Sequence, residues 1–491
     1  NAGTLNNTGG IANLNNLTVT NLGGTTYRDL TLINAGNRIE WNGNLVGSDN
    51  TKWIIIDAVT DLSLADVSFI TANNVVSNLG FKVTNRAFTQ TDGGTWEISG
   101  RTDDVAFRAD NSEVTLYNMV LTENKTGLVG NNTDWNLNES NISNHKEHGA
   151  ILTGGAFSFN EINFTGNQLA LFPGSAENTL TRGGGLLASN VMISGTSGSF
   201  NRNNVYSDVY SSAYNYHSGN YATSNEASAS SSPATGIARG GGIYIDKASL
   251  FLTEGTILNN SASLRAEVDA TAIALTDGNA KTSAYATAHV TASAQGGGVC
   301  ADNSFLTIIN VVVSNNIANN TTIAVANGSG GAYSHLGFGY AEAKSFACGT
   351  AQGGGIYVNN STLTVSNTTL ADNMASNYMG ATGNMGTPYV SAYVQGGGLW
   401  ITGSNSSELK ELQCYRNKAI ASGNGSAYVQ GGGVYVSSGT INFNTATFSG
   451  NQAIGQITTA SYISDLSAQV YGGGIYANNT VLNLTDTLFT D

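Results

Sequence analysis

The stretch GGGIYVNNSTLTVSNTTLADN, residues 353–373, decides the fold of this chain. Its apolar residues form two short alternating runs and one single anchor: Ile356 and Val358, Leu363 and Val365, and Leu370. An apolar period of two is typical of strands, and the Asn, Ser and Thr residues between the runs are typical of turns. The stretch therefore predicts one coil made of three short strands.

The twenty-residue interval from the first glycine of the triplet to the terminal Asn recurs along the chain. Seven triplets begin at Gly183, Gly240, Gly296, Gly353, Gly396, Gly431 and Gly472. The interval leads from these glycines to Asn203, Asn260, Asn316, Asn373, Asn417 and Asn451, with one inserted residue before Asn417. Upstream the triplet disappears, but the frame continues to Asn124 and Asn167. Such a period indicates a stacked repeat array.

A single coil cannot bury its apolar residues, so the coils are expected to stack about 4.8 Å apart in parallel sheets. The sequence predicts an all-β fold, a parallel β-helix (solenoid) of about ten to twelve coils over residues 51–491. Residues 1–50 are expected to be an N-terminal cap or docking segment. The six terminal Asn residues, from Asn203 to Asn451, are expected to form a hydrogen-bonded ladder.

Long stretches between the coils alternate small and larger residues, as in AYATAHVTA at 284–292. Asp277-Gly278 is typical of the tight turn of a β-hairpin. We therefore expect protruding β-hairpin arms that pair with one another along the helix. Their flat, uncharged edges pair either within the chain only or also with another molecule, and the sequence leaves both open.

One outward position of the first strand is mostly aromatic, with Tyr244, Tyr357, Trp400, Tyr435 and Tyr476 in register. Such a stripe either stabilises the sheet as a ladder or binds sugar rings or a partner surface. Because it is not a cluster of acids, bases or nucleophiles, we expect no enzyme and no cofactor. His145 and His148 beside Glu147 are too weak a signal to predict a metal site.

The composition excludes some partners. The formal net charge is −14 and only 11% of the residues are charged, which argues against nucleic acid as a partner. No apolar run is long enough for a transmembrane helix. The chain starts at Asn1 rather than Met, which fits export. The chain has three Cys residues, an odd number, so they cannot all pair within it. A disulfide between Cys300 and Cys348 is one possibility and buried free thiols are the other, and the sequence leaves both open.

The Gly-Gly-Gly-Ile-Tyr start at 240–244, 353–357 and 472–476 and the Phe-x-x-Asn end at 164–167, 200–203 and 448–451 carry a resemblance. Together they resemble the repeat of the chlamydial polymorphic outer membrane proteins, over roughly residues 50–491. The resemblance implies a right-handed parallel β-helix on a cell surface, often adhesive. The long inter-coil arms depart from that family and favour a structural or assembling protein.

The expected function is a non-catalytic extracellular structural protein that self-assembles into a cell-surface fibre, filament or sheath. Two alternatives are a cell-surface adhesin for a host receptor or glycan, and a β-helix polysaccharide lyase or glycosidase. The expected partner is the chain itself, and glycans are a further candidate. If a glycosylating cell secretes it, the accessible sequons are expected at Asn131, Asn327 and Asn424. The frame from Gly472 runs one residue past Asp491, which predicts that the coil continues or that another molecule stacks there.

Overall fold

The computed structural model describes the backbone from Gly3 to Asp491 except for short segments: 8–10, 16–17, 20–27, 35–37, 48–50, 59–61, 72–79, 86, 90–94, 103, 172–177, 220–224, 232, 277–281, 333–338, 384–388, 425 and 458–466. Side chains are described from residue 80 onward, apart from those segments and a few residues beside them. Every regular element in this described part is a β-strand, and the strands pair in parallel. The predicted all-β parallel β-helix is therefore confirmed.

One coil illustrates the repeat. Ile356–Asn359 and Thr362–Ser366 lie in sheet A, Thr369–Ala371 in sheet B, Met374–Gly383 in sheet C and Tyr389–Gln395 in sheet D. We call sheets A and B the body and sheets C and D the wing. Each strand pairs in parallel with its equivalent in the coils before and after, for example Leu306 opposite Leu363.

Sheet B contains fourteen successive strands in the described part of the chain, from Ile11–Asn15 to Leu488–Thr490, more than the predicted ten to twelve coils. Both body sheets already include strands within residues 1–50: Arg28–Asn34 lies in sheet A and Arg38–Gly47 in sheet B. A further coil that the sequence frame skipped lies between those ending at Asn124 and Asn167.

The corners of the coils explain why Asn is so abundant. Asn360, Asn367 and Asp372 stand between successive strands with φ of 46°, 44° and 55°. Apart from glycine, Asn and Asp tolerate this left-handed conformation best, because their short side chains bond to the local backbone. Three such corners in one coil turn the chain back on itself and point the apolar residues inward.

The interior of the body consists of stacked apolar columns. Leu306 and Leu363 are successive members of one column and Val313 and Leu370 of another, and all four are buried. Complete burial of such a side chain stabilises by about 1.5–3 kcal/mol. Because each coil contributes similar residues at equivalent positions, the core runs continuously along the body.

The wing begins after residue 167 and has its own core. Sheet C consists of Gln168–Leu171, Asn204–Gly219, Ser261–Thr276, Ile317–Ala332, Met374–Gly383, Lys418–Gly423 and Gln452–Ile457. Sheet D consists of Asn178–Arg182, Asn225–Ser230, Ala234–Arg239, Thr282–Gln295, Gly339–Gln352, Tyr389–Gln395, Ser426–Gln430 and Ala468–Tyr471. A second, alanine-rich hydrophobic cluster lies between the two sheets.

The arms stack on one another as predicted, but their internal pairing differs from the predicted β-hairpin. Ser261–Thr276 and Thr282–Gln295 form one arm, and they belong to different sheets. Each pairs in parallel with neighbouring arms rather than antiparallel with the other. Alternating alanines such as Ala270 and Ala288 are buried between the sheets, since a small side chain lets two sheets pack face to face. The Asp277-Gly278 turn lies outside the described residues.

Candidate functional site: the crease between body and wing

The glycine triplet reverses the chain between the wing and the body. Gly353 has a φ of 58°, which favours glycine, and a Cβ on Gly354 would lie 2.3 Å from the main-chain carbon of Met374. A Cβ on the third glycine, Gly355, would lie 2.9 Å from Cγ of Asn373 in the same coil. The triplet thus folds the last wing strand back beside the first body strand and creates a crease between them.

The six Asn residues expected to form a ladder lie in one column on the body side. Asn316 donates from Nδ2 to Oδ1 of Asn373 at 3.0 Å and to the carbonyl oxygen of Ile257 at 2.8 Å. Its main-chain N–H donates to the same Oδ1 at 3.1 Å. The same three bonds recur at Asn167, Asn203, Asn260, Asn373 and Asn417, and Oδ1 of Asn451 accepts two of the three bonds that Asn417 donates.

His145 occupies a ladder position that the sequence frame missed. The main-chain N–H of Asn124 donates to its Nδ1 at 3.1 Å, and its own main-chain N–H donates to Oδ1 of Asn167 at 3.2 Å. Burial lowers the pKa of His145 to about 4. His148 faces the carbonyl oxygen of Gly183 instead, and burial also lowers its pKa. The two imidazoles therefore have separate structural partners.

The aromatic residues predicted to face outward do point away from the body interior, but the crease covers them. Tyr244, Tyr357, Trp400 and Tyr435 are only 2–7% exposed. Tyr357 and Trp400 stack with ring centroids 4.3 Å apart and planes 3° apart, and the stack continues to Tyr435 and Tyr476. Because these rings are stacked and also buried in the crease, they form a ladder and do not present an open sugar-binding platform.

A column of glutamines on the wing side accompanies the aromatic ladder. Gln295, Gln352, Gln395 and Gln430 bond in series from Nε2 to Oε1 at 2.8–2.9 Å. The indole Nε1 of Trp400 donates to Gln395 at 3.1 Å, so the column also joins the aromatic ladder. Sequence reasoning missed this column, although four of the seven triplets are preceded directly by Gln.

In two earlier coils Arg182 and Arg239 replace glutamine in this column. Arg239 pairs with the buried carboxylate of Asp302 at 2.9 Å, and the phenol of Tyr244 donates to the same carboxylate at 3.0 Å. The guanidinium of Arg182 lies over the Tyr244 ring at 4.9 Å. Burial and the Asp302 charge raise the pKa of Tyr244 well above its usual range.

Asp302 pairs in register with Asp246 of the coil before it and with Asn359 of the coil after it. It lies at the end of its strand, and Asn359 of the next coil also donates to it at 3.1 Å. Cys300, between Tyr244 and Tyr357 in the aromatic column, is fully buried, which raises its thiol pKa. The arrangement is a buried ion pair that joins Arg239 of the wing to Asp302 of the body.

All three cysteines are free thiols, so the open possibility of a Cys300–Cys348 bond is not realised. Cys414 is buried, which raises its pKa to about 12, and Cys348 is half-buried. The described residues contain no group of three or more His, Cys, Asp or Glu side chains that would hold a metal ion. That the protein is not an enzyme stays a prediction.

The three candidate glycosylation sites differ in their surroundings. Asn131 donates to the carboxylate of Asp110, and Asn424 both donates to and accepts from the main chain of Ala381. Attaching a glycan to either amide would compete with these bonds. Asn327 lies half-buried on the outer face of the wing, in the strand Ile317–Ala332.

Comparisons with protein-family models, curated proteins and solved structures found no match. Within the described part of the chain there is no helix long and apolar enough to span a membrane.

Proposed function

We propose that this chain is a non-catalytic extracellular structural protein that self-assembles into a cell-surface fibre, filament or sheath. The observation that carries the proposal is a set of five exposed tyrosines on the wing: Tyr210, Tyr214 and Tyr216 on the first long strand of sheet C, and Tyr340 and Tyr389 on sheet D, each 40–69% exposed. Tyr is enriched where proteins contact one another, because it buries a large rigid area and keeps a polar tip.

The charges beside these tyrosines support association between copies. Arg265 bonds to Glu267 at 2.6 Å on sheet C, and Lys344 pairs with Glu342 at 2.5 Å on sheet D. Pairing within the face reduces the field that a second copy would meet. A face of Tyr, Ser and Thr with internally paired charges is therefore suited to contact with another such face.

Body and wing support the same proposal because side-chain ladders run along the length of both. The Asn ladder and the glutamine column each bond from coil to coil, and the aromatic ladder stacks beside them. Successive coils are thus joined by side-chain bonds in addition to the main-chain bonds of four sheets. A unit of this kind resists bending and local opening, which suits the subunit of a fibre or sheath.

The adhesin alternative is favoured by a different observation. Tyr393 and Tyr428 stack on the outer face of sheet D with centroids 4.9 Å apart and planes 9° apart. Aromatic side chains on a strand surface are suitable for contact with sugar rings. This alternative predicts saturable glycan binding that Tyr393→Ala combined with Tyr428→Ala removes, whereas Tyr357→Ala with Trp400→Ala acts through stability alone.

Electron microscopy and light scattering of the purified chain over increasing concentration test the proposal. Self-assembly predicts filaments or sheets and a mass that grows with concentration. A glycan array and a panel of polysaccharide substrates on the same preparation test the two alternatives. A mass that stays that of a monomer at the highest concentration, with no ordered assembly on the grid, contradicts the structural proposal.

A further inference from the structure

The longest wing strand on the N-terminal side, Asn204–Gly219, is paired on one edge along its whole length and on the other edge only in part. All sixteen residues pair with Ser261–Thr276. On the opposite edge only its first four residues pair, with Gln168–Leu171. Within the described part of the chain, no strand pairs with the opposite edge of residues 208–219.

The twelve residues of the edge extend about 40 Å. A long unpaired edge exposes a row of main-chain donors and acceptors and is a template for a further strand.

Sheet D also has an edge strand with no described partner on this side of the wing. Asn225–Ser230 pairs with Thr282–Gln295 on one side and with no described strand on the other. Between the two edges lies the alanine-rich core, with Ala227 and Ala229 buried and Ala213 half-buried. A single added peptide would extend only one of the two sheets, whereas a second wing brings both sheets at the same spacing.

We infer that the edge at residues 208–219 is the site where a second copy of this chain adds its own 208–219 edge, antiparallel, about a two-fold axis. The inference deepens the proposed function, on which it rests, by naming the contact. Antiparallel addition places the two bodies at opposite ends of the paired strands. Parallel addition would place both bodies at the same end of the paired strands. There the second body would need the space that the coils preceding the wing already occupy.

The residues of the edge are suited to self-pairing. Asp208 is the one Asp, Glu, Lys or Arg residue of the 208–219 edge, and centring the pair on Ala213 places it opposite Ser218, so two copies meet without like charges directly opposite each other. The side chains of Tyr210, Tyr214 and Tyr216 point outward, and that of Val209 points into the core. Centring the pair on Ala213 keeps outward residues opposite outward residues and sets Tyr210 opposite Tyr216 of the second copy. Such aromatic cross-strand pairs stabilise antiparallel strands.

Tyr214→Lys tests this contact, with Tyr378→Lys as the matched control. Tyr214 is 69% exposed on the open edge strand, whereas Tyr378 is 50% exposed in a strand that is paired on both sides there. Analytical ultracentrifugation of the full chain is expected to give a dimer for the wild type and the control. We expect dimerisation at least about tenfold weaker for Tyr214→Lys, because two lysines would lie diagonally across the contact.

Ala213→Cys gives a second readout that does not depend on charge. Directly opposed residues of an antiparallel pair have Cα atoms about 4.5–5.5 Å apart, within the range of a disulfide. Mild oxidation is expected to yield a covalent dimer on a non-reducing gel, while the wild type with its own three cysteines yields none.

The outcomes separate this inference from the proposed function. If the wild type assembles but Tyr214→Lys and Tyr378→Lys assemble equally well, the edge contact is overturned and the fibre proposal stands. If the wild type forms a dimer sensitive to Tyr214→Lys but no filament or sheet at any concentration, the edge contact stands and the fibre proposal is overturned. Wild-type protein that stays monomeric, or binds only an unrelated extended peptide at this edge, overturns the inference.

Discussion

A Cβ on Gly355 would fall 2.9 Å from Cγ of Asn373, eighteen residues further along the same coil. The same contact recurs between Gly242 and Asn260, Gly298 and Asn316, and Gly398 and Asn417. The third glycine of the triplet therefore leaves the space in which the ladder carboxamide lies. The constant interval from glycine to Asn is fixed because both residues serve one contact.

Gly355→Ala is expected to lower the free energy of unfolding by about 1–3 kcal/mol, because the new methyl group overlaps Asn373 and the carbonyl oxygen of Gly398. Gly380→Ala is the control, since a Cβ there meets nothing within 4 Å. Thermal melts followed by circular dichroism check both variants. Equal melting temperatures for the two variants would contradict the role given to the third glycine.

Asn316→Ala is expected to destabilise by several kcal/mol, because buried donors on Asn260 and the buried acceptor on Asn373 lose a partner at about 1–3 kcal/mol each. Asn327→Ala, at a half-buried position on the wing surface, is expected to change stability by less than about 0.5 kcal/mol. Urea unfolding of the two variants measures the difference. If Asn316→Ala lowered the free energy of unfolding no more than Asn327→Ala does, the ladder bonds would contribute no net stability.

The coil could be predicted from the sequence because its apolar period and its Asn interval both lie within one stretch of about twenty residues. The reason for the glycine triplet could not be predicted from the sequence. Upstream coils keep only the third glycine, as Gly149 before Asn167 and Gly127 before His145, and no described wing strand precedes these two glycines. The first two glycines are thus needed where the wing folds back onto the body, and the third where the ladder passes.

The wing shows where the pattern is ambiguous. Alternating alanines in Ser261–Thr276 and Thr282–Gln295 fit a hairpin and equally fit two sheets packed face to face, because successive side chains of any strand alternate between its two faces. The register of its strand places Trp400 on the outside of the coil, but its burial in the crease could not be predicted from that register. That burial depends on the wing, which the repeat frame does not describe.

His145 makes stability depend on pH. Its folded-state pKa of about 4 lies below the ordinary value of 6.5, so the unfolded chain takes up the proton first as the pH falls. Stability is therefore complete above about pH 6.5 and is lost between about pH 6.5 and 4, by on the order of 3 kcal/mol. His145→Asn restores the ladder residue and is expected to flatten this part of the profile. His148 retains a dependence of the same sign.

Chemical denaturation at pH 7 and pH 4.5 measures this effect for the wild type and for His145→Asn. His289→Asn is the control, because His289 is exposed on the outer face of sheet D. If the wild type and His145→Asn lost the same free energy of unfolding between pH 7 and pH 4.5, the prediction would be contradicted.

The crease provides a prediction in which two damaging changes correct one another. Asp302→Asn leaves the guanidinium of Arg239 without its carboxylate, and Arg239→Gln leaves the buried Asp302 without its cation. Each single change is expected to destabilise by about 3 kcal/mol, since an unpaired charge stays largely buried. The double variant places Gln and Asn where later coils already have Gln295 and Asn359, so it is expected to recover most of the loss. Urea unfolding of the wild type and the three variants gives the coupling free energy, and additive losses in the double variant would mean that the two charges do not depend on each other.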